Sequence, residues 1–207
     1  ISFRIDETET NNGDLFDIED ESGEELKDAD MRGNVDSGAF ELRTAGIIVS
    51  FVSADEDLLK GDNADDDIGT FTVKYKVEAF GSDVYVSDSA AATTTADVTP
   101  QTVSGDGILY LITDSGVPTT AGVATDVSFT KGSGVTDAGV VNGVRIREGK
   151  STTFTLTVVR TNDGDVDDDG FYRVSLVGLG WATTDTSTWN VYDFNLENFK
   201  TGGLVMN

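Results

Sequence analysis

The residues of this sequence best able to do chemistry are aspartates crowded into short segments. Residues 163–169 hold five of them, and Gly170 follows directly. Carboxylates at alternate positions of a tight loop can converge on one hard cation, and a glycine permits the sharp turn that such a loop requires. The segment therefore predicts a Ca²⁺ site, with a merely solvated acidic loop as the alternative. The candidate ligands are Asp163, Asp165, Asp167 and Asp169.

The same segment differs from an EF-hand in one informative way. The position at which an EF-hand supplies its last carboxylate is occupied by Leu176, inside an apolar stretch. We therefore expect the calcium loop to be held between two strands and not between two helices. Without a cation, the five neighbouring carboxylates would repel one another strongly.

We predict a second acidic loop, of similar composition, between residues 55 and 67, just before an alternating apolar stretch. Asp55, Asp57 and Asp66 stand near its main candidates. We expect it to bind Ca²⁺ as well, again with solvation as the alternative. A third acidic cluster occupies residues 17–25, where we favour solvation over coordination. The candidate ligands of the second segment are Asp62, Asn63, Asp65 and Asp67.

The residue types that are missing narrow the chemistry further. The sequence contains neither His nor Cys, so disulfides, thiol nucleophiles and His-based catalytic triads are impossible within this chain. Any bound metal must be held by oxygen, which favours Ca²⁺ or Mg²⁺. Paired carboxylates can hydrolyse glycosidic bonds, but nothing singles out one pair among 38 acidic residues. We expect no enzymatic activity.

The charge balance restricts the partners. The chain has 38 acidic and 14 basic residues and a net charge of −24, so it should repel nucleic acid and anionic lipid. It has no run of about 20 apolar residues, so we expect no membrane insertion. Because the sequence starts at Ile1 without a Met, we interpret it as a secreted, extracellular or cell-surface product whose signal peptide has been removed.

Apolar and polar residues alternate in the elements that must position the acidic segments. The alternation is clearest in residues 71–79 and 153–159, which predicts strands with one buried face. About ten such strands predict an all-β sandwich, with a jelly-roll-like arrangement as the alternative. We assign residues 1–38 to a short N-terminal strand and an acidic arm. Residues 39–207 form the predicted sandwich, with a long loop excursion near 88–143.

Trp181 and Trp189 lie close to the last predicted strands. If exposed, an indole could stack on a sugar ring, as in a carbohydrate-binding module. If buried, both residues belong to the hydrophobic core, and this is the interpretation that we favour. The two alternatives lead to different functions, so both tryptophans are kept as candidate glycan-stacking residues.

Two stretches of the last third carry a recognisable pattern. Residues 147–158 read Arg-Glu-Gly-Lys-Ser-Thr-Thr-Phe-Thr-Leu-Thr-Val, and residues 168–174 read Asp-Asp-Gly-Phe-Tyr-Arg-Val. The first resembles the E-G-x-S-x-x-F-T-L-T-V pattern of bacterial immunoglobulin-like surface domains, and the second resembles a tyrosine corner at Tyr172, with Val174 in place of a Cys. The resemblance covers about residues 145–180. It implies an immunoglobulin-like sandwich of the kind used in pilus, filament or surface-layer subunits.

The predicted N-terminal strand suggests how such a subunit would assemble. Ile1, Phe3 and Ile5 alternate with polar residues, so they can enter the core of a neighbouring copy by strand donation, or dock on their own domain. We therefore expect a calcium-stabilised, homopolymeric subunit of an extracellular filament or surface layer. The alternative is a carbohydrate-binding or adhesive module that recognises a cell-surface glycan.

Overall fold

A computed structural model describes residues 43–62, 67–95, 107–119, 123–130, 133–137, 143–162, 170–184 and 189–206. The chain divides into two units at Arg43, and every described strand belongs to the second unit, Thr44–Asn207. The predicted N-terminal strand and acidic arm, residues 1–38, lie outside the described residues. None of the described residues forms a helix long and apolar enough to cross a membrane.

The described residues form strands, turns and bends, and no helix is found among them. The strands are β1 (Gly46–Leu59), β2 (Ile68–Phe80), β3 (Val84–Ser87), β4 (Ala90–Thr93), β5 (Ile108–Asp114), β6 (Val117–Thr119), β7 (Val123–Phe129), β8 (Val135–Asp137), β9 (Gly143–Ile146), β10 (Ser151–Thr161), β11 (Gly170–Ala182), β12 (Asn190–Asp193) and β13 (Leu204–Met206).

These strands form two sheets that face each other. The first sheet has four strands in the order β1-β2-β10-β7. The second has nine and runs β4-β5-β11-β3-β9-β8, while β12 and β13 pair with β11 and β6 pairs with β5. The predicted all-β, sandwich-like fold is therefore confirmed. The immunoglobulin-like topology and its jelly-roll-like alternative stay predictions.

The core lies between the sheets and follows the alternation seen in the sequence. In β2, every second residue from Phe71 to Ala79 is at most 1% exposed, because successive side chains of a strand point to opposite faces. β10 repeats the pattern, and its Phe154 ring stacks on Tyr75 with 5.4 Å between ring centroids. From the facing sheet, β11 contributes Tyr172, Val174 and further residues to the same apolar cluster.

A crossing turn joins the sheets between β9 and β10, within the stretch that carries the E-G-x-S pattern. Gly149 there has a φ of 67°, which glycine adopts without strain. The Asp83 carboxylate accepts a hydrogen bond of 2.9 Å from the Glu148 amide and another of 3.0 Å from Arg145 Nε. These donors lower the pKa of Asp83, the Glu148 amide contributing most. Asp83 therefore ties β3 to this turn.

The structure corrects two predictions of loops. Residues 55–59, assigned to an acidic loop, continue β1 and pair with β2 as far as Leu59–Ile68, because the long apolar strand β2 provides backbone partners for polar residues too. Residues 90–93, assigned to a loop excursion, form β4 and pair in parallel with β5. The small residues of β4 give no strand pattern in the sequence. Their conformation depends on pairing with the edge of β5.

Candidate metal-binding end of the sandwich

The two aspartate-rich segments start and finish at the same end of the domain. The tip of the β1–β2 hairpin follows the Leu59–Ile68 pair, and Ile68 also pairs with Thr161, the last residue of β10. Gly69 lies against Met206 of β13, and Met206 pairs with Gly170, the first residue of β11. The residues that flank 63–66 and 163–169 therefore surround one end of the sandwich, which we refer to as the acidic end.

Asp67 is the residue that closes the first of these segments. It is 2% exposed, and its carboxylate accepts hydrogen bonds from Lys60 Nζ at 3.1 Å and from the Gly61 amide at 3.3 Å. Its main-chain carbonyl accepts a hydrogen bond of 2.9 Å from the Asn162 amide. Asp67 thus holds the hairpin tip closed and connects it to the end of β10.

A buried arginine precedes the second segment in the sequence. Arg160 of β10 is 2% exposed. Its Nη2 donates a hydrogen bond of 3.0 Å to the hydroxyl of Tyr172 on the facing sheet, and its Cζ lies 4.1 Å from the centroid of the Tyr172 ring. A buried guanidinium is costly unless negative groups surround it. Arg160 therefore places a buried positive charge close to the end of β10.

The acidic end also gains a carboxylate from the second sheet. Asp114, at the end of β5, accepts hydrogen bonds from the Phe171 amide at 3.1 Å and from Ser115 Oγ at 3.0 Å. The β-carbon of a residue replacing Gly170 would lie 2.2 Å from Asp114 Oδ1. Asp114 therefore fixes the start of β11, where the second segment ends.

Charge at this end is far from balanced. Residues 60–67 and 160–169 together hold nine aspartates and only two basic residues, Lys60 and Arg160. Lys60 is 60% exposed and pairs with Asp67, and Arg160 is engaged with Tyr172. Like charges at such a density repel one another, and this repulsion favours the binding of cations. The chemistry that fits an oxygen-only donor set of this kind is the binding of a hard divalent cation.

The structure tests little of the predicted ligand set directly. Of the eight predicted metal ligands it describes Asp62, which is exposed, and Asp67, which is buried. Among the described residues no group of three or more acidic side chains is arranged to hold a metal ion. The other six predicted ligands, Asn63, Asp65, Asp163, Asp165, Asp167 and Asp169, lie outside the described residues, as do Ile1, Phe3 and Ile5.

Both candidate glycan-stacking tryptophans are buried. Trp181 is 4% exposed and belongs to the main core. Trp189 is 7% exposed and packs in a second apolar cluster, with Leu109 and Val177 among its members. The core interpretation therefore describes both residues, and the glycan-stacking interpretation is corrected, since neither indole offers an open face to a sugar ring.

Three polar residues at this end were not singled out from the sequence. Lys60 contacts Asp67, Arg160 contacts Tyr172, and Asp114 accepts a hydrogen bond from the Phe171 amide. Arg160 carried one usable signal: it continues the alternation of buried positions after Phe154, so a charge could have been expected inside the core. Asp114 carried none, since its contact with Phe171 joins residues far apart in sequence.

Comparison with known proteins gives no relative on which a function could be based. No family model, curated protein or solved structure matches this chain.

Proposed function

We propose that this chain is a structural subunit of an extracellular filament or surface layer, stabilised by calcium at its acidic end and joined to neighbouring copies by strand donation. The observation that supports calcium binding is the hydrogen bond between the Asn162 amide and the Asp67 carbonyl. It brings the borders of two aspartate-rich segments together at the end of two paired strands, β2 and β10. Loops with fixed borders lose less conformational entropy when a cation orders them.

Calcium would serve both the fold and the assembly. Residues 60–67 and 160–169 hold nine aspartates and two basic residues, and a divalent cation would reduce the repulsion among such carboxylates. The same neutralisation lowers the repulsion between copies that each carry a net charge of −24. The Cys-free sandwich has a continuous apolar core, which suits a mechanically stable building block that needs no disulfide.

The first test measures thermal unfolding with millimolar Ca²⁺, with a calcium chelator, and with NaCl at matched ionic strength. A cation at about 100 times its Kd adds roughly 2.7 kcal/mol to stability, which raises the Tm of a domain of this size by roughly 5–10 °C. NaCl should give a much smaller rise, because screening acts on all exposed charges without site selectivity. Equal Tm values with Ca²⁺ and with chelator would contradict the calcium proposal.

Two matched double variants test which aspartates cause the calcium-dependent rise in Tm. Asp165→Asn with Asp167→Asn removes two charges from the second acidic segment. Asp126→Asn with Asp193→Asn removes two charges from exposed positions on β7 and β12. We expect the first double variant to lose the calcium-dependent rise in Tm and the second to keep it. The reverse result would place the cation elsewhere.

Assembly is tested separately by electron microscopy and light scattering of the same samples. We expect calcium to increase particle length or mass, and chelator to reverse the increase. A protein that stays monomeric at high concentration in millimolar calcium would argue against a polymeric role, whatever the metal does to its Tm.

A further inference from the structure

The longest of the described strands has one edge that no other described strand covers. β1 contains 14 residues, which corresponds to a length of about 46 Å. It pairs with β2 on one side, and no described strand pairs with its other side. The other described edge strands are shorter: β7 has seven residues and β4, β6, β8, β12 and β13 have three or four.

The first half of this edge lacks two of the devices that usually protect one, although the register with β2 shifts between Phe51 and Ser53. Free edges of soluble proteins carry charges or prolines that prevent the addition of another strand. Residues 46–54 contain neither. Ile48 and Val52 are each 50% exposed, and Phe51 is 44% exposed. Charges begin only at Asp55, so the two halves of β1 differ in how readily they accept a partner.

The apolar interior is also accessible beside this edge. Ile47 and Val49 pack against the main core but remain only partly buried. The Phe51 ring makes an edge-to-face contact with Phe199, which lies between β12 and β13, with 5.9 Å between centroids. These inward-facing residues stay partly exposed because no described strand lies outside them. A strand added here would extend their layer with its own inward side chains.

We infer that the free edge of β1, over residues 46–54, is the acceptor for residues 1–5 of a neighbouring copy. Among the 42 residues that precede the described part of the chain, only this segment alternates apolar and polar residues without an acid. Ile1, Phe3 and Ile5 would face the core layer, while Ser2 and Arg4 would face outward. The inference deepens the proposed function and rests on its strand-donation part.

Charge supports this choice of occupant. The donor segment carries one positive charge at Arg4, whereas the copy that receives it has a net charge of −24. A positively charged strand is therefore attracted to its partner, and the uncharged stretch of β1 imposes no local repulsion. The acidic second half of β1, from Asp55 to Asp57, would repel any of the acidic segments that follow residue 6.

Site-specific cross-linking tests the inference cleanly, because the chain contains no Cys. One preparation carries Ser2→Cys, a second carries Ser50→Cys on β1, and a third carries Ser128→Cys on β7, the opposite edge of the same sheet. The first is mixed with the second or with the third under assembly conditions and treated with a short bis-maleimide. We expect covalent dimers in the mixture with Ser50→Cys and at least tenfold fewer with Ser128→Cys.

The outcomes test the assignment of β1 as the acceptor separately from the proposed polymer formation. Normal assembly with cross-links to Ser128→Cys, or with none to Ser50→Cys, overturns the assignment of β1 and leaves polymer formation standing. A chain with both Ser2→Cys and Ser50→Cys that cross-links only within itself shows self-docking and overturns the inference. Absence of both assembly and cross-links overturns the inference and the proposed polymer together.

A second set of variants tests whether polymer formation requires the free edge of β1. Ile48→Lys and Val52→Lys place charges on the half-exposed apolar positions of β1, and we expect them to abolish calcium-dependent polymers while shifting the Tm little. Val205→Lys is the matched control, since Val205 is 58% exposed on β13. Polymers that form normally from both β1 variants would overturn the inference.

Discussion

The main-chain amide of Asn162 donates a hydrogen bond of 2.9 Å to the main-chain carbonyl of Asp67. One residue leaves β10 and the other enters β2, so the bond joins the borders of two acidic segments that are about 100 positions apart in sequence. Both residues are at most 2% exposed. The acidic end is therefore built on buried backbone, and its borders are expected to resist motion even when its charges repel.

Asp67 serves either as an internal clamp alone or as a clamp and a metal ligand, and substitution separates these roles. Asp67→Asn weakens the contact with Lys60, and we expect a loss of roughly 1–3 kcal/mol, because the carboxylate is buried and hydrogen-bonded. If Asp67 also binds calcium, the rise in Tm on adding calcium is lost as well. Lys60→Met is the control, with an expected cost below about 1 kcal/mol because Lys60 is mostly exposed.

The calcium response of Asp67→Asn decides the ligand question by itself. A variant that is destabilised but still gains the wild-type increase in Tm with calcium would show that Asp67 is a structural residue only. Calorimetric unfolding in calcium and in chelator gives both quantities from one sample.

Two buried tyrosines differ in whether the hydroxyl group has a hydrogen-bond partner. Tyr172 is 1% exposed and accepts a hydrogen bond from Arg160. Tyr75 is 0% exposed, its hydroxyl has no hydrogen-bond partner among the described residues, and burial raises its pKa. We expect Tyr172→Phe to cost roughly 1.5–3 kcal/mol, because the lost partner is charged. Tyr75→Phe should be neutral or stabilising by about 1 kcal/mol, because it removes a desolvated hydroxyl.

Both values come from denaturant unfolding at neutral pH, and each tyrosine is the control for the other. Equal losses in the two variants would mean that ring packing, and not the hydroxyl, decides the result. The residue at position 75 keeps its aromatic stack on Phe154 in the variant, so a large loss there would contradict the assignment of an unpartnered hydroxyl.

Asp83 should give the β9–β10 turn a pH-dependent stability. Hydrogen bonds from Glu148 and Arg145 lower the pKa of its carboxyl in the folded state. A lowered pKa means that the carboxylate stabilises the fold above about pH 4 and that this contribution is lost as the pH falls through the folded-state pKa. We expect Asp83→Asn to be less stable than wild type at neutral pH, with the difference closing towards about pH 2.

The measurement is the Tm of both proteins across this acidic range. Asp193→Asn removes an exposed aspartate of β12 and is the charge-matched control. A Tm difference between Asp83→Asn and wild type that stays constant with pH would show that the carboxylate contributes through shape and not through charge.

Two glycines with left-handed backbone should respond differently to alanine. Gly149 has a φ of 67°, and a β-carbon there would meet no other atom within 4 Å, so Gly149→Ala should cost only about 1–2 kcal/mol of backbone strain. Gly81 has a φ of 71°, and a β-carbon there would lie 1.9 Å from the main-chain oxygen of Thr44. Gly81→Ala should therefore cost about 2–5 kcal/mol, since strain and a backbone clash add.

Denaturant unfolding of both alanine variants checks the ranking. Similar losses for Gly81→Ala and Gly149→Ala would mean that Thr44 moves aside at little cost, and that the chain ahead of β1 is held loosely.

The fold class and the central strands could be predicted from the amino-acid pattern alone. The alternation from Phe71 to Ala79 and from residue 153 to 159 survives in the structure as buried and half-buried positions. This succeeds because a strand buried on one face must place an apolar residue at every second position. The absence of His and Cys likewise limits metal ligands to oxygen, whatever the fold.

Features that depend on residues far apart in sequence could not be predicted in this way. Asp55 and Asp57 continue β1 because β2 offers them backbone partners, and small residues such as Ala91 form β4 because β5 has a free edge there. The burial of Trp189 and the pairing of Arg160 with Tyr172 also join residues from separate strands or loops. Local periodicity reports which face of a strand is buried, but contacts between strands depend on packing that no short segment encodes.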